Sequence, residues 1–275
     1  MKLRILPVLA IAAALSLAIP AGPIARAETT NMADPSKVSQ KLLAQGAEKQ
    51  KIQDRLAKVW TMGGALPGMS VDRGQPCISG PLQRGIITLA PGTSAAFAYI
   101  QPYREPNDWA HINYCGPGAA IELLSHWDRN YPSRVDIDEL GSEMNIDPYG
   151  GVWVRQMVAP INQRLKQITG QDVHWYRYGE ARTLDDFRYM LKTDLVEHGI
   201  PLITSLQTGG LPGWGAIDVG HIVAIYGYIR TADGTEYVSY ADTAPPLAGH
   251  SGFILHTWEL NSFWQAVSQN SAQVW

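Results

Sequence analysis

The sequence predicts an α+β fold, with a helical part followed by an antiparallel sheet, and three observations carry that expectation. Runs of helical length and periodicity dominate up to about residue 168. Short β-branched or aromatic runs bounded by turn residues crowd the stretch after it. Ala232-Asp233-Gly234-Thr235 then reads as a hairpin turn between two of these runs, which makes them antiparallel neighbours.

The chain opens with Lys2 and Arg4, an apolar run from Ile5 to Ile19 and the small-residue site Ala25-Arg26-Ala27. This is the pattern of a secretory signal peptide over residues 1–27, and a secreted or extracellular protein is expected, with cell-surface association left open. Pro7, Pro20 and the shortness of the run against the roughly 20 apolar residues of a membrane span disfavour a retained anchor. Stable membrane insertion is therefore not expected. Residues 28–85 form an expected extension. It holds an amphipathic helix between Pro35 and Met62, with Val38, Leu42, Ile52, Leu56 and Val59 on its apolar side. Gly63-Gly64 and Pro67-Gly68 end the helix in a loop. The extension is either a helix docked on the domain or a removable pro-segment.

The domain proper is expected over residues 86–275. Ile86–Ala90 and Ala96–Ile100 read as strands separated by Pro91-Gly92. A polar and aromatic loop follows, and a central helix then runs from Gly116 to Asn130, with Pro117 tolerable only near its start. Further helices are expected at 137–144, 152–168 and 184–198, the last capped by Thr183 or Asp185. Strands are expected at 173–178, 200–206, 221–229, 237–240 and 252–256.

The chemistry concentrates at Asn113-Tyr114-Cys115-Gly116-Pro117-Gly118-Ala119-Ala120. A thiol attacks as its thiolate, and the unpaired N–H groups and dipole of a helix start favour that anion. Cys115 is thus the candidate nucleophile. His221 opens the strand Gly220–Tyr228 and Asp242 follows the next one, so an antiparallel pair joined by the 232–235 turn brings base and carboxylate to one sheet edge. The chain order is Cys, His, Asp. Each residue alone has a blander role: a small buried cysteine, a satisfied strand histidine, a turn aspartate. Their combination points to a triad. Cys77 is the second of two cysteines in the chain, and a Cys77–Cys115 disulfide is the competing arrangement to a free nucleophile.

These three motifs, Cys-Gly-Pro-Gly-Ala-Ala, Gly-His-Ile-Val-Ala-Ile-Tyr-Gly-Tyr and Tyr-Ala-Asp-Thr-Ala-Pro, resemble the bacteriocin-processing (double-glycine) cysteine peptidases of the papain-like superfamily, over residues 98–264. The resemblance implies a papain-like fold. It also implies that Cys115 attacks a carbonyl to form a thioester, that His221 moves the proton and that Asp242 orients the imidazole. The family's oxyanion glutamine lies a few residues before the cysteine. Here the position six residues upstream is Trp109, which leaves Gln101 as the nearest upstream glutamine and His111 and Asn113 as rival donors. The Gly-Gly leader specificity of transporter-fused relatives is not carried over, because this chain has no transporter segments.

The formal net charge of −3, becoming −6 when the three basic residues of 1–27 are removed, and the lack of a basic cluster with interleaved aromatics exclude a nucleic-acid partner. The histidines lack metal-ligand spacing, so no metal and no cofactor are expected. Glu122 and His126 read as an ordinary helix face. Gly209–Gly215, with Trp214, is expected as a rim or lid of the cleft, and Tyr149–Trp153 as its opposite wall. The expected protein is a monomeric thiol protease acting on peptides or proteins. Transglutaminase-like acyl transfer and a non-catalytic papain-like binding domain are the alternatives.

Overall fold

The protein is described here by a computed structural model, which covers residues 92–275 apart from 251 and 253, together with Ala47 and Lys49. The expected signal peptide, most of the extension with its 35–62 helix, Cys77 and the 86–90 strand lie outside the described residues.

A seven-stranded antiparallel sheet divides the domain. Its strands are β1 (Ser94–Phe97), β2 (Tyr178–Glu180), β3 (Leu202–Gln207), β4 (Gly220–Arg230), β5 (Glu236–Ala241), β6 (Leu255–Glu259) and β7 (Ala272–Val274). They run in the order β2-β7-β3-β4-β5-β6, with β1 also paired to β4. β4 is the long central strand. Its first half pairs with β3, Leu202 opposite Ile225, and its second half with β1, Ser94 opposite Arg230. β5 runs along its other side, Ala224 opposite Ala241.

The helices are α1 (Cys115–Ser125), α2 (Tyr131–Arg134), α3 (Ile137–Glu143), α4 (Val154–Thr169), α5 (Leu184–Leu191), which continues as a wider π turn through His198, and α6 (Leu260–Val267). Strand alternation sorts them into two layers. Ile203, Ile222, Ala224 and Val274 point into a core shared with α1, α3 and α4. Leu202, Val223, Ile225, Val238 and Tyr240 point into a second core shared with α5 and α6.

The expected elements appear with shifted ends, and three were not expected: α2, α6 and β7. The apolar 173–178 run forms a ladder only from Tyr178, because its Val173, Trp175 and Tyr176 are buried in the α1 core instead of alternating across a sheet. The hairpin forms as expected, with Thr231 N–H on Thr235 O at 2.9 Å and Gly234 at φ 89°. Lys49, from the expected extension, lies buried in the domain, with Nζ 3.0 Å from Asp194 Oδ1 and 4.6 Å from the Tyr176 ring centre.

Candidate active site

α1 is buried along almost its whole length, from Gly116 to Ser125, so its start is a fixed point of the domain. Cys115 is its first residue. Tyr114 donates its N–H to His111 O at 3.0 Å and accepts from Gly118 N–H at 2.9 Å, which closes the first turn. Pro117 sits in that turn, where no N–H is required. The two glycines of the motif are explained by close packing. A Cβ on Gly116 would stand 2.1 Å from Val152 Cγ1, and one on Gly118 would stand 2.8 Å from Thr243 Oγ1. Gly116→Ala is expected to cost about 1–3 kcal/mol through overpacking. In a thermal melt that is a fall of several degrees, roughly 2–4 °C for each kcal/mol.

Cys115 is a half-buried free thiol, and Cys77, its partner in the disulfide alternative, lies outside the described residues. His221, second residue of β4, is buried, and its imidazole stands close enough to Cys115 for the sulfur to favour its charged form. Asp242, the residue after β5, is fully buried. Its Oδ1 lies 2.9 Å from His221 Nε2. A carboxylate only accepts, so Nε2 carries the proton and Nδ1 is left for the thiol. Asp242 Oδ1 also accepts from Ala244 N–H at 3.0 Å, and Oδ2 accepts from Trp214 Nε1–H at 2.8 Å. The Trp214 ring stands edge-on to the imidazole with centres 4.9 Å apart.

The electrostatics favour the charged pair. Burial disfavours a charged imidazole, yet the Asp242 charge and hydrogen bond, with the contact to Cys115, raise His221 well above the ordinary histidine value. Burial likewise favours a protonated Asp242, but the His221 charge and the hydrogen bonds from His221 and Trp214 hold it well below the usual carboxylate range. The two shifts agree in describing an imidazolium–carboxylate pair shielded from water by Trp214.

The candidate oxyanion donors fare differently. Gln101 is not at the site. Its backbone N–H binds Ser125 Oγ at 2.6 Å and its Oε1 accepts from Tyr99 at 2.8 Å, at the far end of α1, about 15 Å along the helix from Cys115. The chain leaving Gln101 runs back along α1, with Tyr103 N–H on Glu122, so the loop to Cys115 begins at the far end of the helix. Trp109 is 74% exposed. His111 stands between Asp108 Oδ1 at 2.7 Å and Asp138 Oδ1 at 3.1 Å, and Asn113 Nδ2 donates to Pro148 O at 2.7 Å.

Two buried carboxyls stand near the triad: Glu105, which the sequence did not single out, and Glu122, which it placed on an ordinary helix face. Glu105 is 3% exposed, and its backbone N–H binds Thr243 O at 3.0 Å, next to Asp242. Glu122 is fully buried and accepts from Tyr103 N–H at 3.0 Å. The expected ordinary face of α1 is therefore a buried polar row, in which burial lowers His126 to about 4 while its Nδ1 lies 3.0 Å from Tyr99 O. The loops also differ from expectation. Trp214 is packed beneath the site as a buried partner of Asp242, so the 209–215 loop is a support and not a free rim. Val152 closes on Gly116, while Tyr149 and Trp153 stay exposed. Among the described residues no group of three His, Cys, Asp or Glu side chains could hold a metal ion, and no helix is long and apolar enough to cross a membrane.

Comparison with known proteins bears on this geometry. The family described as "Peptidase_C39 like family" matches residues 97–272, which contain every site residue named above. None of the proteins of curated function matches the sequence. Similar solved structures include the bromelain protease from Ananas comosus in complex with the E64 inhibitor, at 11% identity, covering 68% of this chain and 98% of that one with a TM-score of 0.40. The Amb a 11 cysteine protease, a ragweed pollen allergen in its proform, is similar at 12% identity over 68% of this chain and 66% of that one, with a TM-score of 0.41.

Proposed function

Because the chain belongs to the peptidase C39-like family and is a cysteine-type peptidase, we propose that it hydrolyses peptide bonds through a Cys115–His221–Asp242 triad and a thioester intermediate. The observation that carries this reading is the single imidazole of His221, 2.9 Å from Asp242 Oδ1 and beside the Cys115 thiol at the start of α1.

With the thiol proton already held on His221 Nδ1 in the imidazolium, the Cys115 thiolate attacks the peptide carbonyl carbon. The oxyanion of the tetrahedral intermediate faces the first turn of α1, whose N–H groups have no carbonyl four residues back within the helix. As the intermediate collapses, the C–N bond breaks and His221 gives its proton to the leaving amine, which leaves the acyl group on sulfur. A water then gives its proton to His221 and attacks the thioester, the acid is released, and the Cys115 thiolate beside protonated His221 is restored. Asp242 keeps Nδ1 aimed at sulfur and stabilises the imidazolium in both halves. Trp214, by donating to Oδ2 and covering the ring, keeps that carboxylate anchored and dry.

The substrate is a peptide or protein, acted on outside the cell after removal of residues 1–27. Burial of Lys49 against Asp194 and Tyr176 supports a docked extension over a discarded one. The test is selective alkylation. Iodoacetamide or an epoxysuccinyl probe at neutral pH is expected to label wild-type protein on Cys115, a site absent from Cys115→Ala, while any labelling of Cys77 is the same in both. Absence of selective Cys115 labelling would remove the enzymatic reading. Incubation with a glutamine donor and a primary amine should give free acid, and crosslinked product would replace hydrolysis by acyl transfer.

A further inference from the structure

We infer that Glu105, as a neutral carboxylic acid, is the side-chain donor to the oxyanion formed at Cys115. The inference rests on the peptidase reading above and assigns it a residue that neither the motifs nor the triad supplies.

The loop carrying Glu105 is pinned to the chain that follows Asp242. Arg104 Nη1 donates to Ala244 O at 2.6 Å and Nη2 to Gly252 O at 3.2 Å. Glu105 N–H meets Thr243 O at 3.0 Å, and Leu247 N–H meets Asn107 Oδ1 at 2.9 Å. The Thr243 hydroxyl donates to Glu105 Oε1 and lies against Gly118. Gly118 is three residues beyond Cys115 on the same face of α1. The Glu105 carboxyl is thereby held on Thr243, whose side chain lies against the first turn of the nucleophile helix. Oε1 is occupied as an acceptor, so in the neutral acid Oε2 carries the O–H and is the donor.

The surroundings select that neutral form. Facing Glu105 are His221 from β4, Asp242 after β5, Glu122 from α1, and His111 and Tyr103 from its own loop. Burial pushes Glu105 up and Asp242 adds to it, while the Thr243 hydrogen bond, His221 and His111 pull it back, for a balance at about 7. Below that pH the group is a donor. Above it, a second anion stands beside Asp242 where the oxyanion must form, which opposes the reaction. The rival donors are committed elsewhere: Gln101 at the far end of α1, Trp109 in solvent, His111 between two carboxylates and Asn113 on Pro148 O.

The experiment compares two reactions of Cys115 in the full chain. Acylation by p-nitrophenyl acetate passes through an oxyanion, whereas alkylation by iodoacetamide does not, so the ratio of their rates isolates oxyanion stabilisation from the ionisation of the thiol. In the wild type this ratio is expected to fall as pH rises from about 5.5 to about 8.5, with a midpoint near 7. Glu105→Gln, which keeps a donor but cannot ionise, is expected to give a ratio flat with pH. Glu105→Ala is expected to lower the ratio on the order of 10²-fold at the acid end. A flat wild-type ratio, or a Glu105→Gln ratio that falls as the wild type does, would overturn the inference while leaving the triad standing. If Glu105→Ala does not fold, as read by circular dichroism, Glu105→Gln decides alone. Failure of Cys115 to react with either reagent would instead overturn the peptidase reading itself.

Discussion

Exchanging Cys115 for alanine is expected to remove peptide hydrolysis, a fall on the order of 10⁶-fold in kcat, and His221→Ala is expected to come close to the same loss. The two effects should not add, because nucleophile and base act as one unit: a thiol without its imidazole is not delivered as the attacking anion, and an imidazole without its thiol has nothing to activate. A Cys115→Ala/His221→Ala double variant is therefore expected to match Cys115→Ala alone. The measurement is kcat/KM for the three variants on one fluorogenic peptide pool. The separation from a structural role comes from alkylation: His221→Ala should keep Cys115 present and accessible yet slow its labelling by iodoacetamide at pH 7. Unchanged labelling in a folded His221→Ala protein would detach His221 from the nucleophile, and hydrolysis surviving in Cys115→Ala would place the chemistry elsewhere.

What the sequence revealed of this site divides along the distinction between local and non-local information. The helix start at Cys115 was legible because Gly-Pro-Gly followed by an apolar run has few other backbone solutions. The meeting of His221 and Asp242 was legible because a two-strand hairpin converts a spacing of 21 residues into proximity at one sheet edge. Trp214 was visible as an aromatic beside the histidine strand, but not its inward turn, since the glycines around it permit either direction. Gln101 went wrong for a related reason. Nearness in sequence to Cys115 implied nearness in space, whereas the intervening chain runs back along α1 and leaves Gln101 at Ser125. Glu105 carried no local signal at all, because a glutamate in a polar loop reads as solvated, and only its clasp on Thr243, 138 residues later, buries it. The elements missed were short, α2, α6 and β7, and they owe their existence to tertiary cover: α6 delivers Leu260, Phe263 and Val267 to the core shared with α5, and β7 pairs with β3 and delivers Val274 to the core shared with α1.

Asp242→Asn is expected to lower kcat/KM by roughly 10²- to 10⁴-fold while leaving Cys115 and His221 in position, because the amide retains shape but not charge. Two consequences follow from the directions of the shifts. In the wild type, the Asp242 charge and hydrogen bond outweigh burial and hold His221 charged well above the ordinary histidine value. In the variant burial is left largely unopposed, so His221 should become neutral near pH 7 and the iodoacetamide reactivity of Cys115 should fall with it. The second consequence concerns stability. Asp242 has a folded-state value below its unfolded one of about 3.9, so its contribution is present above that pH and is lost as pH falls through the folded value. His221 has a folded-state value above its unfolded one of about 6.5, so its contribution is full below that pH and is lost as pH rises through the folded value. The pair is complete only between the two. The difference in Tm between wild type and Asp242→Asn is therefore expected to be greatest between about pH 4 and about pH 6.5 and to shrink on either side. A Tm difference constant from acid to alkaline pH would mean that Asp242 holds its neighbours by shape alone, and the charge pair would then lose its place in the mechanism.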